Sequence, residues 1–264
     1  MRTASALVLL AALLLAGCAA ARPDPEIQPR ALTVFAAASL TDAFTQIGAE
    51  FESTHPGVTV VFNFAGSQAL RTQLEQGAAA DVFASASQAE MEALIAAGLV
   101  APDAAQTFLT NRLLAILPAG NPAGIETLQD LARPGVKLVL AAEEVPAGKY
   151  ARRVLENLDS LYGPGYAQAV LSNAVSLEEN VRLVLTKVEL GEADAGIVYV
   201  SDVVNAPGLS SLPIPDEYNL TATYPIAALA AAPEPDLAAE FLAAVFSPRG
   251  QAVLQAWGFT PVRP

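Results

Sequence analysis

The sequence predicts an α/β protein of two lobes, each a mainly parallel sheet flanked by helices, with the chain crossing between the lobes twice. Three observations predict it. Strand and helix patterns alternate from Leu32 to Gly98, and the alternation restarts at Arg112. A Pro-rich stretch, Pro207–Pro215, then precedes one more apolar strand and two closing helices. With 264 residues, 53% hydrophobic and 16% charged, the chain is long enough for two modest cores and too apolar for a disordered protein.

Before the fold comes a leader. Met1–Gly17 carries one Arg and then the apolar run ALVLLAALLLAG, which is too short for a comfortable membrane span and has the pattern of a secretory signal. The only cysteine, Cys18, closes Leu15-Ala16-Gly17-Cys18, which resembles a bacterial lipobox. That implies cleavage before Cys18, lipidation of its thiol and an extracytoplasmic protein held on the membrane by a lipid anchor. Residues 19–30, AAARPDPEIQPR, are polar and Pro-rich and read as an extended tether. The expected division is therefore 1–17 signal, 18–30 anchor and tether, 31–111 with 224–264 as the first lobe, and 112–223 as the second.

Within the first lobe, Leu32–Ala37 is a continuous apolar run and reads as a buried strand, and Leu40–Ser53 has helical periodicity. His55-Pro56-Gly57 is a turn signal that places the lone histidine at the surface before the strand Val58–Phe64. Gln68–Gln76 reads as a helix, Asp81–Ser85 as a strand, and Gln88–Ala97 as a helix closed by Gly98. In the second lobe come strand Leu113–Leu117, short helix Glu126–Leu131, strand Val136–Ala141, helices Gly148–Tyr162 and Glu179–Leu190, and strand Ala193–Tyr199. Tyr224–Ala231 is the last strand, and Leu237–Phe246 and Pro248–Trp257 are the closing helices. Crossings near Thr110–Leu114 and Thr221–Pro225 make a hinge, and the cleft between hinged lobes is a natural place for a small ligand.

Net charge limits that ligand. The whole chain carries −13, and removal of Met1–Gly17 takes away Arg2 alone, leaving 13 basic residues against 27 acidic, or −14. Nucleic acid is excluded as a partner on that balance. An anion remains possible if neutral dipoles hold it at short range.

Four strand-to-helix junctions have the character for it: Ala36-Ala37-Ala38-Ser39-Leu40, Phe64-Ala65-Gly66-Ser67, Val145-Pro146-Ala147-Gly148 and Glu178-Glu179-Asn180-Val181. Each turns a helix N-terminus, with unpaired N–H groups and a partial positive charge, toward the carboxyl end of a strand. Ser39 and Ser67 add hydroxyls, while Ala147 and Val181 offer amides only. Taken singly, each serine also reads as an N-cap, and Ser39-x-x-Asp42 has the spacing of a capping box. Tyr199 ends a strand at the same edge, where its hydroxyl either is satisfied within the core or donates to the same ligand.

Catalytic and metal chemistry finds little support. His55 is the single histidine, and neither a P-loop nor GxGxxG occurs. Asp81, Glu143, Glu144, Glu178 and Glu179 form no spaced pair with a nucleophile. No residue is expected as a direct metal ligand, and no cofactor is expected.

The segments VFAAASLTDAF, FAGSQAL, GAAADVF, EEVPAGKYA, ADAGIVYVSD and GFTPV, in this order and spacing from about Ala31 to Val262, resemble the ModA family, the substrate-binding components of bacterial molybdate ABC importers. The resemblance implies a type II periplasmic-binding-protein fold and no enzymatic activity. It implies molybdate or tungstate as ligand, held by Ser39, Ser67, Ala147, Val181 and Tyr199 through its oxygens. The implied partners are an ABC permease and its ATPase, with the binding protein acting as a monomer. The same fold holding sulfate or an Fe(III) complex, a lipid-anchored enzyme using Ser39, and a sensory lipoprotein are the competing readings.

Overall fold

A computed structural model describes residues 29–262. The expected signal, Cys18 and nearly all of the tether lie outside the described residues. The chain opens with β1 (Arg30–Ala37), a 3-10 turn (Ala38–Leu40), α1 (Thr41–Thr54), β2 (Val58–Ala65), α2 (Ser67–Glu75), β3 (Val82–Ala84), α3 (Gln88–Ala96) and β4 (Gln106–Asn111). The second stretch holds β5 (Leu113–Leu117), a 3-10 turn (Leu128–Ala132), β6 (Leu138–Ala141), α4 (Pro146–Tyr162), α5 (Tyr166–Ser172), β7 (Ala174–Glu178), α6 (Val181–Glu189), β8 (Ala195–Tyr199), a 3-10 turn (Val200–Val203) and β9 (Ser210–Pro213). It closes with β10 (Ala222–Ala228), α7 (Pro235–Phe246), α8 (Pro248–Ala256) and β11 (Thr260–Pro261).

These strands form two sheets, ordered β11-β4-β10-β3-β1-β2 and β7-β6-β8-β5-β9. The first takes its strands from both ends of the chain and the second from the middle. Only Arg112 separates β4 in one sheet from β5 in the other, and residues 214–221 carry the chain back. Asn219 ties the two crossings together: its Oδ1 accepts the Leu113 N–H at 3.2 Å and its Nδ2 donates to the Leu113 carbonyl at 2.8 Å.

The sheets are mixed, which corrects the expectation of mainly parallel ones. Parallel pairing is confined to β1 with β2 and β3, and to β6 with β7 and β8. Antiparallel pairs involve the strands flanking the crossings, β4, β5, β9 and β10, together with β11. A strand that arrives directly from the other lobe makes no βαβ crossover, so nothing forces it parallel to its neighbour.

Each lobe buries an apolar interior. Phe44 of α1 meets Phe108 of β4 and Phe241 of α7 with ring centroids 5.8 and 5.9 Å apart, which fastens the closing helices to the first sheet. Trp257, at the end of α8, donates from Nε1 to Gln46 Oε1 on α1 at 2.9 Å. His55, expected at the surface, is only partly exposed: its ring stacks on Phe51 at 3.8 Å and its Nε2 lies 2.9 Å from Glu240. The expected helix at Glu126–Leu131 is a 3-10 turn shifted to Leu128–Ala132, stopped by Arg133-Pro134 and started by a Thr127/Asp130 capping box.

Candidate functional site

Strand register brings the junctions into adjacent pairs. In the first sheet Ala37 and Ala65 are parallel partners at the carboxyl ends of β1 and β2, so Ser39 and Ser67, two residues further along each chain, emerge side by side. In the second sheet Ala141 and Glu178 are partners at the ends of β6 and β7, which sets the start of α4 beside that of α6. The two pairs face each other across the cleft. They enclose one small cavity, with room for about one water-sized sphere (≈ 10 Å³), and all five expected residues, Ser39, Ser67, Ala147, Val181 and Tyr199, line it. All five are buried, and no residue on the lining carries a charge.

Each donor is left available by a local cause. At α4, Pro146 occupies the first turn and has no N–H, so Ala147 carries the first free amide; the Lys149 N–H already bonds to the Val145 carbonyl at 2.9 Å. At α6, the Asn180 side chain caps the amides of Arg182 and Leu183 at 3.0 and 3.2 Å and passes over that of Val181. Ser67 Oγ accepts the Ala86 N–H at 3.0 Å, which leaves its own proton to be donated elsewhere. Ser39 Oγ lies 2.9 Å from the hydroxyl of Tyr224, a fully buried residue of β10. The capping-box reading of Ser39-x-x-Asp42 fails here, because neither side chain caps the helix start and Asp42 pairs elsewhere.

Tyr199 is the most informative member. Its hydroxyl is buried without a hydrogen-bond partner, and a buried hydroxyl in that condition costs free energy unless a ligand meets it. Its ring packs edge-on against Tyr224, centroids 5.8 Å apart. Burial, and then the neighbouring Tyr224, push the Tyr199 phenol well above its usual range, so it stays a neutral O–H donor. Burial does the same to Tyr224.

Two glycines let backbone come close. A Cβ on Gly148 would sit 1.9 Å from the Ala142 carbonyl oxygen, so only glycine lets the first turn of α4 pack down on the end of β6. A Cβ on Gly66 would stand 2.6 Å from the Glu179 carbonyl oxygen in the other lobe, so Gly66 sets how closely the lobes meet.

Charges gather outside the cavity. Arg182, on α6, pairs with Asp42 on α1 at 2.9 Å, and Lys149, on α4, reaches Glu90 on α3 at 3.4 Å. Both pairs cross the cleft, as does the bond from Gln68 Nε2 to the Glu179 carbonyl at 3.2 Å. Behind the cavity, buried Asp202 accepts the Tyr199 N–H through Oδ2 at 3.0 Å, and burial pushes its carboxyl up to about 7. Sequence reasoning missed this second layer. Tyr224 gave no local signal, whereas Asn180 has the residue type of a helix cap and was legible as one. Among the described residues, no three or more His, Cys, Asp or Glu side chains cluster to hold a metal ion.

Residues 32–260 match the model of the bacterial extracellular solute-binding protein family. The molybdate-binding protein ModA of Mycobacterium tuberculosis is 41% identical over 260 residues, covering 95% of each chain. The solved periplasmic molybdate-binding protein of Azotobacter vinelandii superposes with a TM-score of 0.75 at 23% identity, over 88% of this chain and 99% of that one. The sulfate-binding protein SubI of Mycobacterium tuberculosis superposes with a TM-score of 0.79 at 19% identity, over 89% and 88%. The two structural likenesses establish the two-lobed type II periplasmic-binding-protein fold.

Proposed function

The chain belongs to the ModA family of bacterial extracellular solute-binding proteins, and from that premise we propose that it captures molybdate, and tungstate with it, and delivers the anion to an ABC permease and its ATPase. Members of this family are extracytoplasmic binding components of importers and not enzymes. Lipid anchoring through Cys18 and action as a monomer are part of the same reading.

The observation that carries the proposal is the unpartnered Tyr199 hydroxyl, set in an uncharged cavity beside two serine hydroxyls and helix-terminal amides. Molybdate is fully deprotonated near neutral pH, so its four oxygens only accept hydrogen bonds. A lining of donors suits that chemistry. Phosphate keeps a proton under the same conditions and needs an acceptor; the Asn180 side-chain oxygen is already taken by two amides. In the proposed site Ser39, Ser67 and Tyr199 donate through hydroxyls, and Ala147 and Val181 through amides. Helix termini contribute partial positive charge, so the dianion loses water without meeting a full counter-charge. The first lobe contributes Ser39 and Ser67 and the second the other three, so the anion completes its shell only when the lobes close.

The enzyme reading fails on the geometry around Ser39. Its neighbour is the Tyr224 hydroxyl, held neutral by burial, and His55 is engaged with Phe51 and Glu240 at the far end of α1. Sulfate remains the competing anion, since it too only accepts hydrogen bonds, and SubI shares the fold. Titration calorimetry with molybdate, tungstate, sulfate and phosphate tests the assignment. Tight binding of the first two and weak or absent binding of the others is expected. Sulfate binding as tightly as molybdate, or no heat from molybdate, would overturn it.

A further inference from the structure

Two carboxylates share one guanidinium at the edge of the cleft. Arg182 follows Val181 on α6, and its partly buried side chain lies with Nη2 2.9 Å from Asp42 Oδ2 and Nη1 3.9 Å from Asp202 Oδ1. Asp42 belongs to the first turn of α1, in the opposite lobe. Asp202 follows β8, in the same lobe as Arg182. Asp202 Oδ1 is buried and has no hydrogen-bond partner, while Oδ2 accepts the Tyr199 N–H. The closed form thus gives Asp42 the short contact and leaves an oxygen of Asp202 unsatisfied within reach of the same cation.

Opening the cleft must break the pair with Asp42, whose partners ride on different lobes. It need not disturb the pair with Asp202, whose partners ride on one. Once Asp42 withdraws, the guanidinium is free to move the remaining distance onto Asp202 Oδ1 and satisfy it. We infer that Arg182 is a shared clasp, taken by Asp42 in the closed form and by Asp202 in the open form, so that the two carboxylates pull the lobe equilibrium in opposite directions. Because only a difference between two ion pairs favours closure, the clasp holds the lobes together without locking them, and the anion can still be released. Arg182 is on this view a positioning residue that controls affinity without touching the ligand.

The effect on binding rests on the molybdate reading above, but the clasp itself can be tested without ligand. At pH 8, Asp42→Asn should weaken molybdate binding about three- to tenfold in calorimetry, and Asp202→Asn should strengthen it by about two- to fivefold. In an Arg182→Gln background both substitutions should lose their effect. X-ray scattering from the ligand-free chain should show Asp42→Asn more extended than the parent and Asp202→Asn more compact. A purely structural role would move both variants the same way, and that result, or no change in either, would overturn the clasp. Should Asp202→Asn fail to fold, Asp42→Asn decides alone, since its side chain sits at the rim: unchanged affinity and scattering would overturn the inference. If the parent binds no oxyanion, the functional reading fails while the scattering comparison still judges the clasp.

Discussion

The cavity and its rim are a few ångströms apart and electrostatically opposite. Inside, Ser39, Ser67, Ala147, Val181 and Tyr199 present hydroxyls and amides and no charge. Around the mouth, Arg182 meets Asp42 and Lys149 meets Glu90, each pair joining one lobe to the other. The difference separates two tasks. Neutral dipoles hold an anion without placing a buried ion against it, while charges at the rim act between lobes, where water still screens them and each pair contributes little. On the proposed function, this division lets the lobes close firmly around the ligand and still open.

The largest expected effects lie in the cavity. Replacing one serine by alanine removes a charge-assisted hydrogen bond, costing about 1.5–3 kcal/mol of binding, and Ser39→Ala with Ser67→Ala together should cost about twice that. Calorimetry with molybdate checks this, and unchanged affinity in both single variants would remove the serines from the site. Ser67→Ala should also lower ligand-free stability slightly, because the Ala86 amide loses its acceptor.

Asp202 lies where the two regions meet and should dominate the pH response of stability. Its folded-state value, about 7, stands above the usual 3.8, so between these values the folded chain keeps a proton that the unfolded chain has lost. Stability from this group is thus greatest below about pH 4, falls as pH rises toward 7 and levels off above it, by on the order of 2–4 kcal/mol in all. Asp202→Asn should flatten that slope in denaturant melts taken from pH 4 to 8. An unchanged slope would mean that Asp202 is ionised throughout, with Arg182 compensating its burial.

The two regions also differed in how legible they were. Each half of the cavity is local in sequence: a strand end, then a helix start, four times over. Such a pattern fixes where free amides lie before any packing is known, and it pointed to Ser39, Ser67, Ala147 and Val181, while Tyr199 was picked out separately as a strand end at the same edge. The rim carries no local mark, because Asp42 and Arg182 come together only through the closed arrangement of two lobes. Asp42 was misread as half of a capping box for that reason. In the fold, β1, β5, β6 and β8 were readable because they are mostly apolar runs. The edge strand β7 was not: it turns Val175 and Leu177 toward solvent, so its alternation gives no sign of burial. Sheet direction was also hidden, since it depends on which strand crosses from the other lobe.

Tyr199→Phe should give a smaller but sharper result than the serines. The hydroxyl has no hydrogen-bond partner within the fold, so removing it should leave thermal stability unchanged or slightly higher while weakening molybdate binding by about 1 kcal/mol. Loss of stability together with affinity would show that the hydroxyl is satisfied within the fold and is not held for a ligand.

Ionic strength probes the comparison most gently. The chain carries −13 overall, so a dianion approaching it is repelled at long range, and nothing inside the cavity offers a compensating cation. Salt shortens the reach of that repulsion to a Debye length of about 10 Å at 0.1 M, so molybdate association should accelerate with added NaCl, by about two- to fivefold from low to physiological strength. Short bonds from hydroxyls and amides are little affected, whereas the partly exposed Arg182–Asp42 pair weakens, so release should quicken too. Stopped-flow measurements at several salt concentrations separate the two rates. Association that slows with salt would mean that rim cations such as Arg182 and Lys149 draw the ligand in, and the division between a neutral binding shell and a charged closing rim would then be wrong.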